Sequence, residues 1–250
     1  MYEIAARPHL LLPRAAVQAN RLLAVMPHDA LERLLPHVER VFLESGEILY
    51  DASAELEHAY FPASAIVTLL QMSGGRTATK LALVGREGLV GISAFMGGLP
   101  APGRAVVLST GYAFKVPAAV LKAEFDRHGA AMRLLLRFTQ ALVTQMAQTA
   151  VCNRHHLIQA QLCAWLLTCM DRMPHGNSLL VTQELVAGML GVRREAITDA
   201  AGTLRKMGLI AMRRGRISML DRPGLQARAC ECYQVVKRET ERLLPDRLAT

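Results

Sequence analysis

The spacing of apolar positions passes through three textures along the chain. Between residues 17 and 40, Leu22, Leu23, Met26, Leu31, Leu34 and Leu35 recur at helical intervals, and Pro27 is placed to open a second short helix. Between 41 and 117 the period shortens to that of strands: Val41-Phe42-Leu43, Glu47-Ile48-Leu49-Tyr50, Ala65-Ile66-Val67-Thr68-Leu69-Leu70, Ala78-Thr79-Lys80-Leu81-Ala82-Leu83 and Ala105-Val106-Val107-Leu108. Turn residues separate these runs at Ser45-Gly46, Ser73-Gly74-Gly75, Gly85, Gly97-Gly98 and Pro102-Gly103. Short strands at this spacing predict a sandwich or barrel. From about Pro117 to Asp171 the helical period returns.

Within that helical stretch Met132, Leu136, Thr139, Val143, Met146 and Ala150 alternate steps of four and three. This is a heptad seam with one polar member; it predicts a helix that joins two subunits, packs on its own sandwich, or does both. Cys152-Asn153-Arg154-His155-His156 interrupts the seam, which places a domain boundary there and divides the chain into residues 1–151 and 152–250. A second apolar helix comes next, with Leu162, Trp165, Leu166 and Met170, and the stretch Met173-Pro174-His175-Gly176-Asn177 reads as a loop.

The segment from Val181 to Asp221 carries the most specific pattern. Thr182 is a good N-cap and Glu184 puts negative charge in the first turn. Leu185, Val186, Met189 and Leu190 supply the apolar face of that helix, Ala187 and Gly188 leave room for a neighbour, and Gly191 ends it with a tight turn. A second helix begins near Arg193. Ile197, Ala201 and Leu204 form its buried stripe, and Arg194, Glu195, Thr198, Asp199, Arg205 and Lys206 its polar face. A helix that shows arginine and carboxylate near its N-terminus can read base edges in a major groove. Ile210-Ala211-Met212 and Ile217-Ser218-Met219 then flank Arg213-Arg214-Gly215-Arg216, a predicted hairpin with three arginines at its tip. Like charges crowded on one turn repel, and contact with phosphate relieves them. Helix, glycine turn, polar-faced helix and basic hairpin in this order form a winged helix-turn-helix.

Charge strengthens this expectation. The chain has a formal net charge of +8, and the stretch from Arg193 to Arg222 holds eight basic and three acidic residues. That concentration points to a polyanionic partner, double-stranded DNA. The five cysteines, Cys152, Cys163, Cys169, Cys230 and Cys232, form no Cys-x-x-Cys pair and read as reduced thiols. The first residues lack the apolar core and cleavage site of a signal peptide, and no run approaches the ~20 apolar residues of a spanning helix. The expectation is a cytoplasmic protein with no membrane partner. No nucleophile elbow, His-Glu-x-x-His, P-loop or dinucleotide fingerprint appears, so an enzyme is not expected.

These residues resemble the Crp/Fnr family of bacterial regulators. Thr182 to Glu195 matches the family's helix-turn-helix in register, and Gly208-Leu209-Ile210 and the Arg-Gly-Arg-Ile wing match the segment after it. Upstream, Ser45 to Tyr50, Val84-Gly85-Arg86-Glu87-Gly88 and Gly111-Tyr112-Ala113 fit the family's cyclic-nucleotide-binding-like jelly roll. The resemblance implies an α+β protein: an N-terminal β jelly roll, a long dimerisation helix and a C-terminal winged helix-turn-helix. It also implies a homodimer on a pseudo-palindromic site, with RNA polymerase as a further partner. Carried over by residue, Arg194 and Glu195 match the family's reading pair, whereas Asp199 replaces a second arginine, so a different half-site is expected. Arg193 stands where a Ser or Thr cap is usual, and a phosphate contact from it would offset the lost cap. The DNA-binding set is thus Arg193, Arg194, Glu195, Thr198, Asp199, Arg205, Arg213, Arg214 and Arg216.

The expected sensor site departs from the family pattern. Gly91 is followed by Ile92 rather than the carboxylate that holds a ribose, and Arg104 is followed by Ala105 rather than a hydroxyl partner for phosphate. A cyclic nucleotide is therefore disfavoured, and Arg104 is left either to bind another anion or to lie as a surface arginine. No cysteine precedes Cys152, which argues against an iron–sulfur cluster. Haem through His58 or His128 stays open. His155-His156 beside Cys152, and Cys230-Glu231-Cys232, are candidate ligands. Neighbours on a helix point apart, so no metal site is expected from them. The alternatives are a redox- or metal-responsive regulator using these Cys and His residues, and a dimeric scaffold that does not bind DNA.

Overall fold

A computed structural model describes residues 12–73, 77–97, 100–173 and 176–244. The predicted turn residues Gly74, Gly75 and Gly98, the loop residues Pro174 and His175, and the first eleven residues lie outside these ranges. Three short helices come first: α1 (Arg14–Val17), α2 (Arg21–Ala24) and α3 (His28–Leu34). Strands follow: β1 (Glu39–Leu43), β2 (Ile48–Tyr50), β3 (His58–Pro62), β4 (Ile66–Ser73) and β5 (Thr77–Val84). A single helical turn, α4 (Ser93–Met96), precedes β6 (Arg104–Ser109) and β7 (Gly111–Pro117). Helices α5 (Ala118–Phe125) and the long α6 (Ala130–His155) close this half.

The strands pair antiparallel in two sheets, ordered β1-β7-β3 and β2-β6-β4-β5. This is the expected jelly-roll half. Strand β3 was not legible as a strand, although Ala59 and Phe61 alternate inward along it. The interior packs Phe61, Leu89, Phe114 and Leu121 against Leu134, Leu135 and Phe138 of α6. Asn20 fixes the N-terminal helices to this core. Its side-chain amide donates to the carbonyls of Pro62 and Gly88, each at 2.8 Å, and its oxygen accepts from the Leu23 amide at the start of α2. A fully buried amide is tolerated because its hydrogen-bonding groups are met.

After a break at His156 and Leu157, which adopt extended backbone angles, α7 (Ile158–Arg172) begins the second half. Helix α6 thus runs past the boundary placed at Cys152. Next come β8 (Ser178–Leu180), α8 (Gln183–Leu190), α9 (Arg194–Lys206), β9 (Ile210–Arg213) and β10 (Arg216–Met219). The chain then forms α10 (Arg222–Gln226) and α11 (Glu231–Leu243). A small antiparallel sheet, ordered β8-β10-β9, lies beside the helices. Leu162, Trp165, Leu166, Val186, Ile197, Leu204, Ile217 and Tyr233 form this half's core.

The two halves are packed together, which explains why apolar residues of β4 occupy both of its faces. Val67 and Leu69 point into the jelly roll, while Ile66, with Leu83 of β5 and Leu108 of β6, belongs to the core around α7 and α8. Thr68 faces α8 and its hydroxyl donates to the Met189 sulfur at 3.4 Å. A strand covered on both faces reads as a continuous hydrophobic run rather than an alternation. No helix among the described residues is long and apolar enough to cross a membrane.

Candidate nucleic-acid interface

The local chemistry of α8 and α9 follows the sequence closely. The Thr182 hydroxyl accepts from the Leu185 amide at 3.1 Å and caps α8. Gly191 then takes φ +67°, the left-handed conformation that ends a helix without a Cβ clash. Helix α9 buries Ile197, Ala200, Ala201 and Leu204. Its other face leaves Arg194, Glu195, Thr198, Asp199, Arg205 and Lys206 exposed. Arg193 is the N-cap residue and makes no side-chain cap, as its type dictates.

One contact on this face was not read from the sequence. The Thr198 hydroxyl lies 2.9 Å from Oε1 of Gln183, the first residue of α8, and 3.1 Å from the Arg194 carbonyl. Gln183 therefore joins the polar face of α9. Its position directly after the cap, on the helix that crosses α9, was the available signal.

The wing turns at Arg214 and Gly215, with φ +46° and +74°. Two successive positive φ angles make the primed turn that matches strand twist. Arg213 and Arg216 face each other across the hairpin, and the Gly215 carbonyl accepts from the Val181 amide at 2.7 Å. Arg216 also donates to the Ser178 hydroxyl at 3.0 Å. An open groove of about 470 Å³ runs between wing and helices, lined by Thr182, Gln183, Glu184, Arg194, Arg213 and Arg216, among others. The start of α9 and the tip of the hairpin thus share one solvent-facing side.

The seam on α6 is divided by the structure. Leu136, Val143 and Ala150 are exposed and Met132 is half-buried. Thr139 is buried, with its hydroxyl donating to the Leu135 carbonyl, and Met146 packs on the jelly-roll core. The outward row is Leu136, Gln140, Val143, Ala147 and Ala150. A helix apolar on two adjacent faces gives overlapping periodicities, and only packing decides which of them the protomer uses.

The expected sensor residues each have a defined place in the jelly-roll half. Arg104 forms a two-pronged pair with Asp51, Nε to Oδ1 at 2.9 Å and Nη2 to Oδ2 at 2.7 Å, rather than presenting its charge to a ligand. The hydrogen bond from Arg104 holds the Asp51 carboxyl below its ordinary value. Ala105 is fully buried, and Ile92 packs partly buried against the same core. Gly91 has φ +102°, and a Cβ there would meet Leu56 at 2.9 Å.

The cysteines and histidines correct the expectation that they point apart. Cys152 and His156 lie four apart on one face of α6 and its end, while Cys230 and Cys232 converge from the start of α11. Their ligand atoms all lie within 4.8 Å of one another. His155 is exposed and takes no part. The four-residue step from Cys152 to His156 was the signal. Cys230 is also the residue before α11, not within it, so the Cys-x-Cys pair is not splayed by helical geometry. The hydrogen bond between Cys152 and Cys230, at 3.4 Å, lowers the Cys230 thiol and raises that of Cys152, while burial pushes Cys232 up to about 11.

Comparison with known proteins agrees with this architecture. Residues 160–228 match the Crp-like helix-turn-helix domain. Among solved structures, FixK2 of Bradyrhizobium japonicum superposes with a TM-score of 0.64 at 13% identity, covering 77% of this chain and 98% of that one. A CRP-family transcriptional regulator of Thermus thermophilus gives 0.63 at 18% identity, covering 76% and 96%. The c-di-GMP-responsive global regulator CLP of Xanthomonas campestris gives 0.60 at 14% identity, covering 78% and 100%. At these identities the likeness establishes the fold. No curated protein matches the chain by sequence.

Proposed function

We propose, taking the chain as a Crp/Fnr-type DNA-binding transcriptional regulator and not an enzyme, that it binds a pseudo-palindromic duplex as a homodimer in the cytoplasm. The exposed row on α6 joins the protomers, and each α9 enters one major groove. Half-sites then lie about one helical turn apart. Arg194 and Glu195 read base edges, while Arg193 and the wing arginines hold phosphate. The jelly-roll half carries the controlling signal, and RNA polymerase is the expected partner on the promoter.

A single observation supports this reading most. Arg194 at the start of α9 and Arg213, Arg214 and Arg216 of the wing line one open groove. A scaffold that ignored DNA would have no use for reading residues and phosphate ligands on the same side.

Selection from a random duplex library tests the proposal. Enrichment of one inverted repeat is expected, and Arg194→Glu should abolish the preference for it. Absence of any enriched repeat would favour the DNA-independent scaffold.

A further inference from the structure

The geometry points to a metal site that the DNA-binding reading does not use: Cys152, His156, Cys230 and Cys232 hold one zinc-type divalent ion that staples the end of α6 to the start of α11. From zinc–sulfur and zinc–nitrogen bonds of about 2.3 and 2.1 Å, tetrahedral ligands should lie about 3.6–3.8 Å apart. Cys152 Sγ and Cys230 Sγ are 3.4 Å apart, and Cys232 Sγ and His156 Nδ1 are 3.5 Å apart. All four ligand atoms fall within 4.8 Å, which suits a single ion. A cluster of several metal atoms would spread its ligands farther.

The surroundings have the features of a built site. Cys230 and Cys232 are buried, and Cys152 and His156 are partly so. His156 turns Nδ1 toward Cys232, and its Nε2 lies 3.1 Å from the Glu231 carboxylate. A carboxylate behind a ligating histidine fixes the ring's tautomer and orientation. Cys230 stands at the N-cap position of the thirteen-residue α11, where the positive end of the helix favours a thiolate. Three sulfurs and one imidazole select a soft or borderline ion over magnesium or calcium. Four protein ligands leave no open position, so the ion is a fastener and not a catalyst. On binding, the thiols release their protons to solvent and the imidazole enters neutral.

The location gives the fastener a consequence. His156 ends α6 at the elbow where the chain turns into α7, and α11 packs along both helices. An ion here sets the angle between the helix that carries the outward row and the half that carries α9. This consequence, unlike the ion itself, rests on the DNA-binding reading.

The full-length chain, purified under reductant and reconstituted with zinc, should retain one ion per protomer by elemental analysis. Cys230→Ser and Cys232→Ser should lose it, whereas Cys163→Ala and Cys169→Ala, at buried cysteines outside the cluster, should keep it. Glu231→Gln should retain the ion with affinity lowered about tenfold. Cobalt loaded into the wild-type chain should show thiolate charge-transfer bands and the intense visible bands of tetrahedral coordination, a readout that requires no variant to fold. No retained zinc in the wild type, equal retention in Cys230→Ser, or weak octahedral cobalt bands would overturn the site. None of these measurements involves DNA, so their failure is separate from failure of the proposed function.

Discussion

Arg172, at the end of α7, forms an ion pair with Glu87 of the jelly roll, Nε to Oε1 at 2.9 Å, with both side chains nearly excluded from solvent. The same guanidinium donates to the carbonyls of Leu83 and Thr168 and to the Gln145 side chain. It therefore ties together β5, α6 and α7 at the junction of the two halves. Gly85 makes the approach possible: a Cβ there would stand 2.6 Å from the Arg172 Cβ. Removing one member of a buried pair leaves the other charge uncompensated. Glu87→Gln should destabilise the folded chain by about 3 kcal/mol. In urea unfolding, the double variant with Arg172→Met should lose less than the sum of the two single changes. Additive losses would show that the pair is not coupled.

Gly88 illustrates a tighter constraint. A Cβ at this position would lie 2.1 Å from the ring of Phe138, itself buried on α6. A buried ring has nowhere to retreat, so Gly88→Ala should cost about 1–3 kcal/mol by overpacking. A melting temperature equal to that of the wild type would contradict this.

The outward row of α6 predicts a selective effect on assembly. Val143 is 51% exposed in the protomer, so Val143→Asp should change protomer stability by no more than about 0.5 kcal/mol. In a dimer joined along this row it would bring carboxylates together in an apolar seam. Association should weaken by about 3 kcal/mol, roughly a hundredfold. Analytical ultracentrifugation reads the result directly. Thr139→Val, on the inward face, should leave the oligomeric state unchanged.

The wing arginines predict a salt signature. If Arg213 and Arg214 of each protomer neutralise one phosphate apiece, replacing both with glutamine should reduce the slope of log affinity against log salt by about 3.6 for the homodimer. The weakening should be equal for the selected repeat and for random duplex. A loss confined to the selected repeat would mean that the wing reads bases.

Asp51 and Arg104 predict a pH effect of defined sign. Because Arg104 holds the Asp51 carboxyl below the ordinary value of 3.8, the pair stabilises the fold above that pH. The contribution is lost as pH falls through the lower, folded-state value. The melting temperature of Asp51→Asn should therefore lie below the wild type's at neutral pH, and the gap should close in acid. A gap that did not narrow as the pH falls would assign the effect to packing.

Much of the C-terminal half was legible because its determinants are local. Thr182 as a cap, Gly191 and Gly215 at positive φ, and the stripe of Ile197, Ala201 and Leu204 are each fixed within a few residues by backbone sterics and helical period. These features alone indicated which face of α9 and which hairpin would meet solvent. The row of strands and the long helix were legible for the same reason.

Tertiary structure decided what depends on residues far apart in the chain. Thr139 and Met146 turned inward because α6 packs on the jelly roll, a choice that heptad spacing cannot make. Arg104 met Asp51 across 53 residues of chain, and Cys152 met Cys230 across 78. Side-chain type and spacing determine what a residue can offer, but a pair exists only where the fold brings its members within bonding distance. In this protein those long-range encounters, and not the local patterns, set the junction between the halves and the Cys–His cluster beside it.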